Sequence, residues 1–183
     1  MALRFTIVSP LWCTHRSQMN QKLIEIRNMV MDDIDEVLSI EESIFSAPWS
    51  RDIFLRELQL PVSRNLVAKT CKNQICEIAG YMTFWVIAGE LQLHKIAVRE
   101  DHRKAGVASA LMEAMIGSSY KDNADCCMLE VGRSNEGAKK LYEKFGFTVT
   151  DVRPRYYSES GDDALIMCAD LKKCLQFLQK EKI

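Results

Sequence analysis

The sequence lacks the features that would place it in several common classes of protein. Its longest apolar stretch, Ile78 to Ala88, has 11 residues, whereas a membrane-spanning helix needs about 20. The formal net charge is −1, so no overall positive field attracts nucleic acid or an anionic membrane. No internal repeat, low-complexity tract or Pro/Gly-rich linker divides the chain, and its length of 183 residues suits one domain.

The sequence also has little that would bind a metal ion. It contains seven cysteines and three histidines, and no two cysteines have CxxC spacing. This odd number of cysteines predicts neither a zinc site nor a disulfide framework. Most of the cysteines lie in apolar runs, where we expect them to pack as small hydrophobic side chains. A reducing cytoplasm fits that usage best.

The regular spacing of hydrophobic residues that is typical of strands and helices starts only after the first 23 residues. We interpret residues 1–23 as an N-terminal extension without ordered structure, and Met19 as an alternative start of the protein. Residues 24–171 are expected to form the folded domain, and residues 172–183 a last helix or a loose tail. With 48% apolar and 27% charged residues, the chain has the composition of a soluble globular protein.

Hydrophobic periodicity predicts an alternation of strands and helices. Asp32 and Ser50 are placed to cap the first two helices, Gly106 opens a third, and Asn135–Phe145 forms a fourth. The predicted strands are Ile24–Arg27, Leu66–Thr70, Ile75–Ile87, Glu90–Val98, Cys126–Val131, Phe147–Val152 and Ala164–Asp170. A tight turn between the third and fourth of these makes part of the sheet antiparallel. The pattern therefore predicts a mixed α/β fold with helices on both faces of the sheet.

One segment has the character of an anion-binding turn. Arg103-Lys104-Ala105-Gly106-Val107-Ala108 follows a predicted strand and opens a helix. Its R-x-x-G-x-A spacing combines the partnerless N–H groups of a first helical turn with small residues that a ligand can approach closely. Two cationic side chains beside such a turn favour a pyrophosphate, although a solvated basic loop would have the same sequence. The glycine patterns of P-loop nucleotidases and Rossmann oxidoreductases are absent from the sequence.

Two further residues are candidates for acid–base chemistry. Glu130 interrupts the apolar strand Cys126–Val131, where a carboxylate is costly unless it is paired, hydrated or functional. Burial would make it a stronger base, and the alternative is a strand-end glutamate that faces solvent. Tyr142 lies on the apolar side of its helix, and its alternative role is that of a core aromatic residue.

These segments together resemble the GCN5-related N-acetyltransferase (GNAT) superfamily and, within it, the RimI-type ribosomal-protein alanine N-acetyltransferases. The resemblance covers about Ile24 to Leu171. The matching residues are Pro48-Trp49-Ser50, Ile96-Ala97-Val98, Arg103-x-x-Gly106-x-Ala108, Leu129-Glu130-Val131, Ser134-Asn135, Leu141-Tyr142-Glu143-x-Phe145-Gly146-Phe147, Arg155-Tyr156-Tyr157 and Asp163-Ala164-Leu165-Ile166-Met167. The sequence departs from the pattern at Gly132, which many RimI-type sequences replace by arginine, and this leaves the substrate preference open.

The resemblance implies a sheet whose two central parallel strands splay apart, so that acetyl-CoA binds in the gap. It implies that Glu130 is the general base and Tyr142 the general acid. The residues that it assigns to acetyl-CoA are Ile96, Ala97, Val98, Arg103, Lys104, Ala105, Gly106, Val107, Ala108, Asn135 and Tyr142. No cysteine nucleophile and no metal are needed, because the amine attacks the thioester directly.

Three aromatic residues are expected to bind the acceptor substrate. Trp49 either shapes the mouth of the substrate site or staples two helices together. Tyr156 and Tyr157 either line a peptide groove or pack structurally. His94 is a further possibility, as a spare base or a substrate contact.

The resulting expectation is acetylation of the N-terminal α-amine of a protein, with a ribosomal protein that begins with alanine as the leading substrate. Glu159, Asp162 and Asp163 would favour a basic substrate terminus, or form a solvated loop. Acetylation of a lysine side chain, a polyamine or another small amine is the alternative, and a non-catalytic acyl-CoA-binding module is a third. We expect no nucleic-acid or membrane partner and a cytoplasmic location.

Overall fold

The computed structural model describes residues 24–72, 75–158 and 160–180. The predicted N-terminal extension with Met19, the last three residues and Glu159 lie outside these ranges. The strands within the ranges are β1 (Ile24–Asn28), β2 (Ser63–Lys72), β3 (Ile75–Ile87), β4 (Glu90–Val98), β5 (Cys126–Gly132), β6 (Thr148–Tyr157) and β7 (Asp162–Asp170). The helices are α1 (Ile34–Ile44), α2 (Arg51–Gln59), α3 (Val107–Asp122), α4 (Glu136–Lys144) and α5 (Leu171–Lys180).

The strands of the described residues form one mixed sheet with the order β1-β2-β3-β4-β5-β7-β6. Only the central pair, β4 and β5, is parallel, and the other neighbours are antiparallel. One face packs against α1 and α2 around Ile40, Phe54 and Tyr81. The other packs against α3, α4 and α5 around Leu111 and Phe147. The mixed α/β fold with helices on both faces is confirmed.

The parallel pair separates partway along its length. In the described chain, β4 and β5 pair from Glu90 opposite Cys126 to Leu93 opposite Leu129, and both strands continue beyond that point. The register between β3 and β4 shifts at the same place, since Phe84 pairs with Leu93 and Thr83 with Lys95. His94 is therefore the extra residue of a β-bulge. A bulge bends its strand, which accounts for the gap that opens between β4 and β5.

The first helix begins differently from the prediction. A 3-10 turn, Met31–Asp33, precedes α1, so Asp33 rather than Asp32 is the N-cap residue of α1, and its carboxylate caps the 3-10 turn rather than the helix. Its Oδ2 accepts the Val30 N–H at 2.8 Å, and both of its oxygens accept from the Arg27 guanidinium. The prediction of Asp32 as the cap is wrong because the additional turn moves the helix start by one residue.

The C-terminal segment forms a packed helix rather than a loose tail. In α5, Leu171, Cys174 and Leu178 are buried in the core shared with α3. None of the helices in the described ranges has the length and apolarity that crossing a membrane requires.

The cysteines depart from the prediction at one place. Cys127 and Cys174 are buried free thiols, as expected, but Cys71 and Cys76 form a disulfide. These two residues pair across the antiparallel ladder of β2 and β3, with their Cα atoms 4.1 Å apart. The spacing rule that we applied does not detect such a pair, because sheet register and not sequence motif brings it together.

Candidate active site

Two cavities meet at the gap between β4 and β5. One, of about 490 Å³, is lined by the loop after α1, by β4, by β5 and by the end of β6; we call it the Glu130 cavity. The other, of about 600 Å³, is lined by the end of β4, the start of α3 and α4; we call it the Gly106 cavity. Ile96, Asn135, Ala138 and Tyr142 line both cavities.

The start of α3 has the backbone geometry expected of an anion-binding turn. Gly106 occupies the N-cap position in the left-handed conformation, with φ of 85°, and Lys104 is also left-handed, with φ of 61°. The N–H groups of the first turn of a helix have no partner within the helix, and here they border the Gly106 cavity beside Arg103, Lys104 and Lys140. Helix polarity and three cations make this end of the cavity suited to a phosphate or pyrophosphate.

His102 anchors this turn, a role that the sequence did not indicate. The ring is buried in a 3-10 turn just before Arg103, and its Nε2 lies 3.2 Å from Thr70 Oγ1 and 3.1 Å from Glu77 Oε1. Because Thr70 and Glu77 pair across β2 and β3, the sheet holds the loop that precedes α3.

The end of β4 and the first residue of α3 pack closely against β3. A Cβ atom on Gly80 would lie 2.6 Å from the Ala97 carbonyl oxygen, 3.1 Å from Val107 Cγ1 and 3.2 Å from Val98 Cγ2. All three neighbours line the Gly106 cavity. Only glycine therefore allows β4 and the first residue of α3 to approach β3 this closely.

Glu130 lies where β5 leaves β4 and faces the cavity named after it. Its side chain is 30% exposed, and Oε1 accepts a hydrogen bond from Arg153 of β6. Of the two alternatives, the geometry shows a partly exposed glutamate rather than a buried one: the strand is apolar on its other face, where Cys127, Leu129 and Val131 are buried. Glu130 is paired with Arg153 and partly open to solvent, which removes the cost of its place in the strand.

Tyr142 reaches the gap from α4. It is 5% exposed and lines both cavities, and its ring packs against Phe147 at a centroid distance of 5.9 Å. Burial, with smaller contributions from Tyr157 and Cys127, raises the pKa of its phenol above the usual 10. The hydroxyl therefore stays protonated and can donate a hydrogen bond at the junction.

The predicted aromatic pair of β6 lies at the Glu130 cavity. Tyr156 and Tyr157 line it, in edge contact at a centroid distance of 5.4 Å. Arg155 has φ of 52° and its N–H bonds to Asp163, within a break of the β6–β7 register between Arg153 and Tyr157. This irregularity brings the two rings to the end of the sheet where the gap opens.

Trp49 is outside the wall of either cavity among the described residues. Its ring packs against Phe54, and its backbone N–H donates to Glu41 Oε1 at 2.7 Å. Of the two roles predicted for Trp49, these contacts match the structural one, in which it joins α1 to α2. Glu41 is fully buried and also accepts from Tyr81 and Lys95.

Lys95 lies beside this network on the wall of the Glu130 cavity. Its ammonium is 3.9 Å from the centroid of the Phe45 ring, so a buried ion pair with Glu41 and a cation–π contact hold the loop after α1. Burial lowers the pKa of Lys95, which the hydrogen bond to Glu41 opposes. This buried pair had no signal in the sequence, because it joins residues 54 positions apart.

All but one of the other residues predicted to bind the cofactor line a cavity. Ile96, Ala97, Val98, Arg103, Lys104, Gly106, Val107 and Ala108 line the Gly106 cavity, and Ala105 does not. Asn135 lines both cavities, and its Oδ1 also caps α4 by accepting the Ala138 N–H at 3.1 Å. Residues of the cavities that were not predicted include Ile44, Phe45, Ser46, Ala47, Lys95, Ser109 and Lys140. No cluster of potential metal ligands occurs among the described residues.

Comparisons with known proteins agree with this geometry. A model of the acetyltransferase (GNAT) family matches residues 34–147. A Bacillus subtilis (strain 168) protein, named as a candidate ribosomal protein bS18-alanine N-acetyltransferase, is 35% identical over 78% of this chain and 92% of its own. The Escherichia coli (strain K12) ribosomal protein bS18-alanine N-acetyltransferase is 30% identical over 78% of this chain and 94% of its own.

The fold agrees with a solved structure as well. The crystal structure of the ribosomal-protein-S18-alanine N-acetyltransferase from Escherichia coli superposes with a TM-score of 0.72 and 28% identity, covering 81% of this chain and 94% of the other. The splayed parallel strands, the anion-binding turn and these matches lead to one assignment. The chain is an acetyltransferase that belongs to the GNAT family.

Proposed function

We propose that this enzyme transfers the acetyl group of acetyl-CoA to the N-terminal α-amine of a protein, and that the substrate is a ribosomal protein beginning with alanine. The observation that carries the proposal is the pair of cavities that join at Tyr142, one cationic and one carrying Glu130 and two tyrosines. The two relatives named for acetylating the alanine of bS18 support the choice of substrate. The location that we propose is the cytoplasm, where such a substrate is made.

The Gly106 cavity fits the donor. The first turn of α3, with Arg103, Lys104 and Lys140, would bind the pyrophosphate. The edge of β4 that β5 leaves free beyond Leu93 offers backbone groups to the amides of the pantetheine arm, in the manner of an added strand. Acetyl-CoA supplies a thioester carbonyl that an amine can attack directly.

Glu130 would remove the proton from the incoming amine, either directly or through a water molecule. An α-amine has a pKa near 8, so its deprotonation at pH 7 costs only about 1 kcal/mol, whereas a lysine side chain near 10.4 costs about 5 kcal/mol. A carboxylate that is open to the cavity is adequate for the first amine and poorly matched to the second. This comparison favours an N-terminal acceptor.

Tyr142 would hydrogen-bond the departing sulfur. Its raised pKa keeps the proton on the phenol, so we assign it a hydrogen bond that strengthens as charge develops rather than complete proton transfer. Backbone N–H groups near Ala97 would stabilise the charge that develops on the carbonyl oxygen. Tyr156 and Tyr157 would contact the first residues of the acceptor chain.

The test of this proposal is Glu130→Gln, assayed with acetyl-CoA and a peptide that begins with Ala. The turnover number should fall by about 100-fold, the size of a typical general-base contribution, while the Kd for coenzyme A should change less than twofold. Glu42→Gln, the same substitution at an exposed position of α1, serves as the matched control and should retain wild-type turnover. An unchanged turnover in Glu130→Gln would exclude this base.

The acceptor class is decided in the same assay. Wild-type enzyme should acetylate the Ala peptide at the α-amine, and should leave an N-terminally blocked peptide with an internal lysine essentially unmodified, as judged by mass spectrometry. Faster acetylation of the blocked peptide would refute the N-terminal assignment. Binding of coenzyme A without product from either peptide would instead indicate a non-catalytic acyl-CoA-binding module.

A further inference from the structure

A histidine faces Glu130 across the opening between the two parallel strands. Leu93 and Leu129 form the last pair of β4 and β5 among the described residues, so His94 and Glu130 are the next residue of each strand. Both leucines point into the core under α3. Because side chains alternate along a strand, His94 and Glu130 both point to the opposite face, and both line the Glu130 cavity.

The β-bulge places His94 there. In a regular strand Lys95 would take the opposite face, but the extra residue lets two consecutive side chains, His94 and Lys95, point toward the Glu130 cavity. Bulges commonly redirect side chains beside active sites. The same irregularity that opens the gap therefore also delivers a second titratable group to it.

The imidazole is held from behind by an aromatic residue. Its ring centroid lies 4.3 Å from that of Trp85, at an angle of 59°. Trp85 is itself fixed, since its indole N–H donates to Glu57 Oε2 at 2.8 Å, and Glu57 also accepts from Ser63 Oγ at 2.6 Å. A side chain supported in this way has a defined orientation toward the cavity.

Burial leaves His94 neutral near pH 7. Burial lowers its pKa below the usual 6.5, and Glu57 from α2 and Glu130 from β5 partly oppose that effect. Other titratable or charged groups on the same cavity are Lys95 of β4, Tyr142 of α4 and Tyr156 and Tyr157 of β6, with Arg153 of β6 bound to Glu130. A neutral imidazole has one nitrogen that can accept a proton.

We propose that His94 is a second proton acceptor for the attacking amine, working beside Glu130, an inference that rests on the proposed function. An ammonium N–H bond breaks and its proton passes to the free imidazole nitrogen. The lone pair that this releases forms the new bond to the acetyl carbon, the carbon–sulfur bond of the thioester breaks, and a second N–H proton goes to the departing sulfur, so that coenzyme A leaves as the thiol. The imidazolium gives its proton to water in the open cavity. Arg153 occupies one oxygen of Glu130, which makes a second acceptor useful.

The experiment compares wild type with His94→Phe, Glu130→Gln and the double variant, using an Ala-initiated peptide between pH 5 and 9. Phenylalanine keeps an aromatic ring against Trp85 and removes the proton-accepting nitrogen. The turnover number should fall about tenfold in H94F and a further tenfold in the double variant relative to E130Q, within the range of acid–base contributions. The KM for the peptide and the Kd for coenzyme A should stay within twofold of their parent values.

The pH profile separates proton transfer from packing. Protonation of the substrate amine alone makes log kcat/KM rise with slope one below pH 8. Protonation of His94, whose pKa lies below 6.5, removes its contribution and lowers kcat/KM further, to the level of H94F. Wild type and E130Q should therefore fall about tenfold more than slope one predicts as the pH drops through the pKa of His94, while H94F and the double variant keep slope one throughout. His94→Ala, which also removes the ring, tests packing: if only packing matters, H94F behaves as wild type and H94A does not.

The outcomes are distinguishable from those of the proposed function. A wild type that acetylates the peptide, together with an H94F variant of equal turnover and unchanged slope, overturns the role of His94 alone. A wild type that makes no product with any N-terminal peptide overturns both proposals.

Discussion

Gly80 packs where the sheet meets the Gly106 cavity, so Gly80→Ala tests both the stability of the sheet and the shape of that cavity. The Cβ of alanine would lie 2.6 Å from the backbone oxygen of Ala97, and no side-chain rotation relieves a contact with a carbonyl. Val107 Cγ1 and Val98 Cγ2, at 3.1 and 3.2 Å, leave little room in the other directions. β4 and the start of α3 must therefore move away from β3.

The expected loss of stability is about 1–3 kcal/mol, the usual cost of overpacking a filled core. For a chain of this length each kcal/mol lowers the midpoint of thermal unfolding by about 2–4 °C. The displaced residues line the Gly106 cavity, so the affinity for coenzyme A should fall as well. We expect about a tenfold rise in Kd, which corresponds to about 1.4 kcal/mol.

Urea unfolding measures the first effect and isothermal titration calorimetry with coenzyme A the second. Gly117→Ala is the matched control, because Gly117 lies in α3 with no atom within 4 Å of a Cβ at that position. Replacing a helical glycine by alanine should stabilise the protein by roughly 0.5–1 kcal/mol. If Gly80→Ala were as stable as wild type and bound coenzyme A equally well, the close approach of β3 to α3 would be refuted.

Two further predictions concern the cap and the disulfide. The hydrogen bonds from Arg27 hold the pKa of Asp33 below its usual 3.8, so its contribution is present above pH 3.8 and is lost as the pH falls below that value. In urea unfolding, Asp33→Asn should lower the free energy of unfolding by about 1–3 kcal/mol at pH 7 and by less at pH 3. Asp32→Asn, the control, should change it by less than about 0.5 kcal/mol. Equal effects of the two substitutions would contradict the cap assigned to Asp33. Replacing Cys71 and Cys76 by serine should lower the free energy of unfolding by roughly 2 kcal/mol. A reductant should make wild type and this variant equally stable. If wild type remains more stable in reductant, the disulfide is not the cause of the difference.

The arrangement of the gap shows how one backbone irregularity serves two purposes. The bulge at His94 bends β4 away from β5, and it also brings His94 and Lys95 to the same cavity. Without the bulge, β4 would pair with β5 over a greater length, and only one of these two side chains would point into the Glu130 cavity. Any change that restores a regular register at this point is therefore expected to close the gap between β4 and β5 and to remove one of these two side chains from the Glu130 cavity.

Strongly periodic segments were predictable because their signals are local. The hairpin of Ile75–Ile87 and Glu90–Val98 was predicted with the bounds that the structure shows, since a turn between two apolar runs determines it. The α4 helix was predicted within one residue at each end, because Asn135 and Gly146 mark its termini. The cap at Asp32 failed because a 3-10 turn shifts the start of the helix, and adjacent aspartates carry no signal that distinguishes them.

The site itself was predictable only in part. Arg103 to Ala108 could be recognised because an anion-binding turn uses consecutive residues. The buried pair of Glu41 and Lys95, the anchoring of His102 and the Cys71–Cys76 disulfide were not predictable, because each depends on residues from different strands and helices.

The amino-acid order alone determined which segments form strands and helices, the turn that suits a pyrophosphate and the family to which the chain belongs. These depend on short-range spacing, which a linear pattern records. Only the tertiary structure decided that Glu130 is paired with Arg153 rather than buried, that His94 stands across from it, and that Gly80 admits α3 to the sheet. Each of these depends on register and on distances between elements, which are set by packing of the complete fold.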